Sequence, residues 1–253
     1  MNQETHNDQV ALVTGAAQGL GKAIAQSLFK AGFRVVLTDM NEAAVKATAL
    51  EIDASEQRVM ALQLNVLNKA DFSTALEATV VRFGQVHALV NNAAMTPTTP
   101  VMEITAEEFD QVVGVNMRGT FFGCQVFGQY FADNGYGRIV NMASLAGQNG
   151  GTASGAHYAS SKGAILTMTK IFARQLAEAG VTVNSVAPGP IDLPSVRALV
   201  PPERLAEIID QMIPVKALGN ADFVADTVTR LASPEASFVT GAAWDVNGGI
   251  FMR

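Results

Sequence analysis

The chain of 253 residues carries a formal net charge of −6, with 49% hydrophobic and 16% charged residues. That balance supplies a large core and excludes a disordered chain, and the acidic sign excludes a nucleic-acid partner, whose phosphates need a basic face. The polar start MNQETHNDQ reads as a tail (residues 1–8) without a secretion signal, no apolar run is long enough to span a membrane, and a single cysteine, Cys124, fits a reducing, cytoplasmic compartment.

Residues 9–14 form a short apolar run that predicts a buried strand, and TGAAQGLG (14–21) follows it. The spacing predicts a helix over 22–31 closed by Gly32, a strand over 33–38 ending at Asp39, a helix over 42–52 and a strand over 58–64. A helix over 70–82 and a strand over 87–92 continue the alternation. After a Pro/Thr loop at 96–100, one long helix is expected over 106–131, then a strand over 139–142 and a glycine-rich loop over 148–155. A second long helix over 158–179 leads to a strand over 181–186. The proline-rich stretch to 214 breaks the pattern, and a helix near 222–231 and a strand over 242–246 close the chain. Strands alternating with helices at this rhythm predict one α/β domain over 1–253, a doubly wound parallel sheet of about seven strands. The near-continuous apolar strands require helices on both faces of that sheet.

The glycines at 15, 19 and 21 stand between a strand and a helix. This arrangement makes a tight turn, lets backbone approach a pyrophosphate and aims a helix N-terminus at its charge. Asp39 ends the second strand 18 residues after Gly21, where a carboxylate takes the hydroxyls of an adenosine ribose; the competing reading is a cap on the next helix. Asp39 also repels a 2′-phosphate, and neither Gln18 nor Thr38-Asp39-Met40-Asn41 adds a basic group, so NAD(H) is expected over NADP(H). Asn65-Val66 and Asn91-Asn92-Ala93-Ala94 end the third and fourth strands on the same sheet edge. As a set they favour contacts to adenine and ribose; singly each asparagine is equally a turn former.

Tyr158 and Lys162 are four positions apart and share a helical face. The lysine charge favours phenolate, so Tyr158 is expected to titrate below the usual phenol value of about 10. Ser144 follows the fifth strand and so reaches the same edge. Asn116, in an apolar stretch, either satisfies a local carbonyl or holds a water beside Lys162; the sequence leaves both open. A Ser–His–Asp arrangement fails, because His6 lies in the tail, His87 at the wrong end of a strand, and His157 reads as a residue of the helix start. Cys124 has no basic neighbour and reads as a small buried apolar residue, and no Cys/His cluster suggests a metal.

TGAAQGLG, NNAA, Asn116, Ser144, Tyr158-x-x-x-Lys162, and Asn184 with Pro188-Gly189 together resemble the short-chain dehydrogenase/reductase family from Val10 to the C-terminus. Leu64-Asn65-Val66 and the tail from Ile213-Pro214 to Val246-Asn247-Gly248-Gly249 resemble its 3-oxoacyl carrier-protein reductase branch. The resemblance implies Tyr158 as general acid/base, Lys162 as the group that lowers its pKa and binds the nicotinamide ribose, Ser144 on the substrate oxygen, and Asn116 behind a proton-relay water. It implies an NAD site formed by Gly15, Gln18, Gly19, Leu20, Gly21, Asp39, Asn65, Val66, Asn92, Tyr158, Lys162, Pro188, Gly189 and Ile191. It also implies a homotetramer paired through the two long helices.

Three positions depart from the family pattern. Ala94 replaces a usual glycine, Ser144 and Tyr158 are one residue further apart than is common, and Leu193 stands where a threonine often binds the carboxamide. That last contact is expected to pass to a backbone group or to Ser195. Residues 190–214, with Leu193, Val196, Leu199, Val200, Ile208, Ile209 and Met212, read as an apolar lid over the substrate, with subunit contact as its other role.

The activity expected is NAD(H)-dependent interconversion of a small secondary alcohol and a ketone by hydride transfer. Reduction of a 3-oxoacyl thioester, on a carrier protein or CoA, is one alternative, and a non-catalytic NAD-binding regulator is another. A carrier protein is disfavoured because 132–136 and 177–180, which would offer its landing surface, contain no Lys or Arg. The intact Ser144, Tyr158 and Lys162 disfavour the regulator.

Overall fold

In a computed structural model that describes residues 9–151 and 155–252, β1 (Val10–Thr14) shows why the sheet is covered twice. Val10 and Leu12 point into one hydrophobic cluster, Ala11 and Val13 into the other, and all four are buried. This is the two-residue period of a strand with no solvent face. The other strands are β2 (Arg34–Asp39), β3 (Val59–Gln63), β4 (Ala88–Asn91), β5 (Gly137–Met142), β6 (Val181–Pro188) and β7 (Ala243–Val246). They form one parallel sheet in the order β3-β2-β1-β4-β5-β6-β7.

Ten helices, in chain order, are α1 (Gly19–Lys30), α2 (Glu42–Ile52), α3 (Lys69–Phe83), α4 (Ala106–Val113), α5 (Gly119–Asp133), α6 (Ala146–Asn149), α7 (Ala156–Leu176), α8 (Pro194–Leu199), α9 (Pro202–Met212) and α10 (Ala221–Ala232) among the described residues. Ile24, Ala25 and Leu28 of α1 pack on one sheet face with Val45 of α2 and Val224 and Val228 of α10. Phe72 of α3 and Phe127 and Phe131 of α5 cover the other. Each such fully buried Val, Leu, Ile or Phe side chain contributes roughly 1.5–3 kcal/mol, which fixes the strand ends that carry the site. Because β1 pairs with β2 on one side and β4 on the other, the winding reverses between β1 and β4. A crevice opens beyond the carboxyl ends at such a reversal.

Several elements differ from the sequence expectation. The first helix starts at Gly19 instead of residue 22, since the glycine turn runs straight into it. The long helix expected over 106–131 is interrupted by a π turn at Gly114–Arg118, which holds Asn116, and it continues to Asp133. Gln148, expected in a loop, belongs to α6, which Gly150 ends in the left-handed region. The second long helix starts at Ala156 and finishes in a 3-10 turn at Ala177–Ala179.

The proline-rich stretch holds two helices, and each has proline in its first turn, where the missing N–H has no partner to lose. Leu205 of α9 and Ile213 after it are buried, and Leu193 packs against the sheet core. The side chains of Ser195 and Leu199 lie outside the described set. Among the described residues no helix is long and apolar enough to cross a membrane.

Candidate active site

The glycine turn is built for a close approach. Gly15 has φ +63°, and a Cβ there would stand 2.7 Å from Ala93 Cα. A Cβ on Gly21 would run into the Gly15 carbonyl and the Asn92 amide. Helix α1 begins with no side-chain cap and no acid in its first turn. Its first N–H donors and its positive end therefore face the crevice, with Gln18, Gly19 and Leu20 at the turn. An uncapped helix start behind a glycine turn is the cradle that a dinucleotide pyrophosphate fits.

Asn92 serves the cradle by holding its shape. Its side-chain N–H groups donate to the carbonyls of Thr14 and Gly15, each at 3.0 Å. Asp39 accepts the Ala17 N–H at 3.2 Å and the Asn41 N–H at 3.0 Å, which sets its carboxylate beside the turn. Helix α2 is capped by Asn41, whose side chain accepts the Ala44 N–H at 3.1 Å. The capping role considered for Asp39 is thereby corrected.

Ser144, Tyr158 and Lys162 meet at the carboxyl end of β5. The Ser144 hydroxyl oxygen accepts the Ala146 N–H at 3.1 Å, which leaves its own O–H free to donate. Tyr158 shares hydrogen bonds with Ser144 and Thr96. Lys162 is buried and donates to the Met142 carbonyl at 2.6 Å, with its ammonium 5.7 Å from the centre of the Tyr158 ring. A Cβ on Gly147 would stand 2.5 Å from the Lys162 carbonyl carbon, so this glycine lets α6 seat α7 at the lysine.

The expected fall in the Tyr158 pKa is corrected by the protein alone. Burial pushes the phenol above its ordinary value, and the bonds from Ser144 and Thr96 offset only part of that. Burial also pulls the Lys162 ammonium down to about 8, so it remains a cation at neutral pH while its charge is spent largely on a carbonyl.

Asn116 is brought to the same place by the π turn, a distortion frequent at functional sites. Its side chain accepts the Met95 N–H at 2.8 Å and donates to the Met95 carbonyl and the Ser161 hydroxyl at 3.0 Å each. Both amide hydrogens are thus committed, so the local-carbonyl reading describes this side chain. Through these bonds the side chain holds the loop after β4.

The surroundings of the other expected site residues are as follows in the folded chain. Asn91 points into the core, where it donates to Asn141 at 2.9 Å, so it cannot reach a ribose. Asn65 makes a turn by accepting the Leu67 N–H at 3.1 Å, and Val66 buries its side chain against α5. Pro188 gives its carbonyl to Leu145 N–H at 2.9 Å, Gly189 donates to the Val246 carbonyl at 2.9 Å, and Ile191 packs in the core. Leu193 is likewise turned to the core. His157 is fully buried. Burial pushes the Cys124 thiol up to about 12, which leaves it inert.

Thr96 and Gly147 were not singled out from the sequence. Thr96 follows NNAA on the active edge, and that position was the available signal. The segments 132–136 and 177–180 precede β5 and β6 at the amino edge of the sheet and lie against each other, opposite Tyr158. Their lack of basic residues therefore says nothing about what approaches this chain's own crevice and does not disfavour a carrier protein.

A family profile described as enoyl-(acyl carrier protein) reductase matches residues 15–251. The chain is 36% identical over 242 residues to the (2S)-[(R)-hydroxy(phenyl)methyl]succinyl-CoA dehydrogenase subunit BbsD of Thauera aromatica, covering 96% of each. It is 36% identical over 246 residues to the 3-oxoacyl-[acyl-carrier-protein] reductase of Escherichia coli, covering 96% of this chain and 98% of the relative. A crystal structure of a short-chain dehydrogenase/reductase (glucose/ribitol dehydrogenase) from Brucella melitensis superposes with a TM-score of 0.88 at 32% identity over 98% of both chains. With the sheet order, the glycine cradle and the Ser–Tyr–Lys cluster, these likenesses place the chain in the short-chain dehydrogenase/reductase family of oxidoreductases, which bind a nicotinamide dinucleotide.

Proposed function

We propose that this oxidoreductase interconverts a secondary alcohol and a ketone with NAD(H), and that Tyr158 moves the proton. The observation that carries the reading is the convergence of the Ser144 and Tyr158 hydroxyls, backed by the buried Lys162, at the same carboxyl edge of the sheet as the uncapped start of α1. The nicotinamide, when bound, supplies or accepts the hydride. Tyr158 then gives its proton to the developing alkoxide in reduction and takes it back in oxidation, while Ser144 holds the same oxygen. Lys162 keeps a cation behind the phenol, and Asn116 keeps the loop carrying Thr96 in place.

Asp39 supports NAD(H) as the cofactor, because its carboxylate stands at the glycine turn with no basic group in 38–41 to receive a 2′-phosphate. The wild-type chain is expected to show a higher kcat/KM with NADH than with NADPH. Asp39→Ala should lower the NADH value roughly 10- to 100-fold, about 1.4–2.8 kcal/mol of lost interaction, and narrow the preference. Initial rates with both cofactors test this, and a wild-type preference for NADPH contradicts it.

A specific observation favours a second reading of the ketone. The names of the relatives from Thauera aromatica and Escherichia coli both describe acyl thioester chemistry, with a hydroxyl or oxo group as the reacting function. A 3-oxoacyl thioester is itself a ketone, so the two readings share every residue role. Rates on acetoacetyl-CoA against small aryl ketones and diols separate them.

Exposed Phe109, Met117, Phe121 and Ile171 on the two long helical stretches support pairing with further copies, and sedimentation tests the tetramer.

A further inference from the structure

Behind Tyr158 lies a set of hydrogen bonds that the proton transfer does not use. The fully buried His157 ring accepts the backbone N–H of Tyr158 on Nδ1 at 3.0 Å. An accepting Nδ1 carries no hydrogen, so the neutral ring has its hydrogen on Nε2. That N–H donates to Glu108 Oε1 at 2.9 Å. The same carboxylate oxygen accepts the Thr99 hydroxyl at 2.7 Å. The bond from Thr99, then that from His157, holds the Glu108 carboxyl below its usual range, which keeps it an acceptor.

The surroundings lock the ring as well. The Phe109 ring stacks on it with centroids 6.4 Å apart and planes 23° from parallel. Residue 155 must be glycine for the ring to lie there, since a Cβ would run into the imidazole. The Gly155 N–H in turn donates to the Pro97 carbonyl at 3.1 Å.

Helix α7 starts with no side-chain cap at Gly155, so His157, one residue before the reactive tyrosine, supplies a partner for a first-turn N–H. One carboxylate thus joins α4, the start of α7 and the loop that carries Thr96. The Glu108 N–H donates to the Thr105 hydroxyl at 3.2 Å, which fixes the backbone of that carboxylate residue in its own helix.

We propose that Glu108 and His157 are a positioning pair, in which a neutral imidazole held in its Nε2–H form fixes the first turn of α7 and thereby the Tyr158 hydroxyl against Ser144 and Thr96. This rests on the role given to Tyr158 above. The pair acts through Tyr158 and does not touch substrate or cofactor. Its loss should therefore lower kcat and leave cofactor binding intact.

The test compares the full wild-type chain with Glu108→Ala, Glu108→Gln and His157→Asn. Glutamine keeps an oxygen that accepts from both Thr99 and His157, whereas alanine removes it. Glu108→Ala should lower kcat about 10-fold or more with the NADH dissociation constant within about twofold, and Glu108→Gln should restore kcat to within about threefold of wild type. Nitrogen-15 spectra of the imidazoles give a readout that needs no turnover. The His157 signals, identified by their loss in His157→Asn, should show a bare Nδ1 and a protonated Nε2 in wild type and Glu108→Gln, and averaged tautomers in Glu108→Ala. A protonated Nδ1 in wild type, a wild-type kcat in Glu108→Ala, or a Glu108→Gln as slow as Glu108→Ala overturns the proposal. If the wild type turns over no ketone offered, the activity assignment fails on its own, and the ring nitrogens still decide whether the pair exists.

Discussion

Replacing Tyr158 by phenylalanine is expected to lower kcat for ketone reduction roughly 10²- to 10⁴-fold, with the NADH dissociation constant unchanged within about twofold. Phenylalanine keeps the ring in its partly buried slot and removes only the hydroxyl that Ser144 and Thr96 hold. The cradle at Gly15, Gly21 and Asp39 is untouched by the change, so a fall confined to kcat reports the proton step. Stopped-flow turnover with a fluorescence titration of NADH reads both quantities. Wild-type turnover in the variant would remove Tyr158 from the chemistry.

Lys162→Met is expected to lower kcat by about 10²-fold or more, because the phenol loses the only buried cation placed behind it among the described residues. The same substitution carries a stability signature of opposite sense. In the folded chain the ammonium titrates at about 8 against a usual 10.5. Below about pH 8 both states are protonated, and burying the charge weakens the fold by its full amount. Between the two values the unfolded chain holds more protons than the folded one, so stability rises with pH, by on the order of a few kcal/mol across the window. Above the upper value the lysine is neutral in both states and the penalty is gone. Unfolding in denaturant at about pH 7.5 and about pH 10 should therefore show a rise in wild type relative to Lys162→Met. A difference between the two proteins that does not change with pH would mean the lysine is not charged and buried together.

The family's fold and cluster were legible because their signals are local. A strand whose neighbours alternate between two buried faces, a glycine turn and a four-residue spacing each survive without coordinates. What escaped reading depends on direction and burial. Asn91 and Asn92 are adjacent, and the two-residue period sends them to opposite sides, so Asn91 joins the face of Leu89 in the core while Asn92 reaches the glycine turn. The π turn at Gly114–Arg118 adds one residue to a helix whose apolar spacing barely changes, so 106–131 read as continuous. Lys162 announced its charge in the sequence, but the burial of the Tyr158 phenol did not show there, and that burial reverses the expected direction for Tyr158. Prolines in the stretch to 214 suggested irregular chain, whereas both helices described there begin on one.

The proposed chemistry requires the Tyr158 hydroxyl to stand next to the bound nicotinamide. Carbon-13 labelling at tyrosine Cζ follows its titration directly, with Tyr130 and Tyr136 as internal references and Tyr158→Phe for assignment. The free chain and the NADH complex should titrate above the ordinary phenol range, and NAD+ should pull the midpoint down because its ring carries a positive charge. A Tyr158 midpoint that is the same in the free chain, with NADH and with saturating NAD+ would contradict the account.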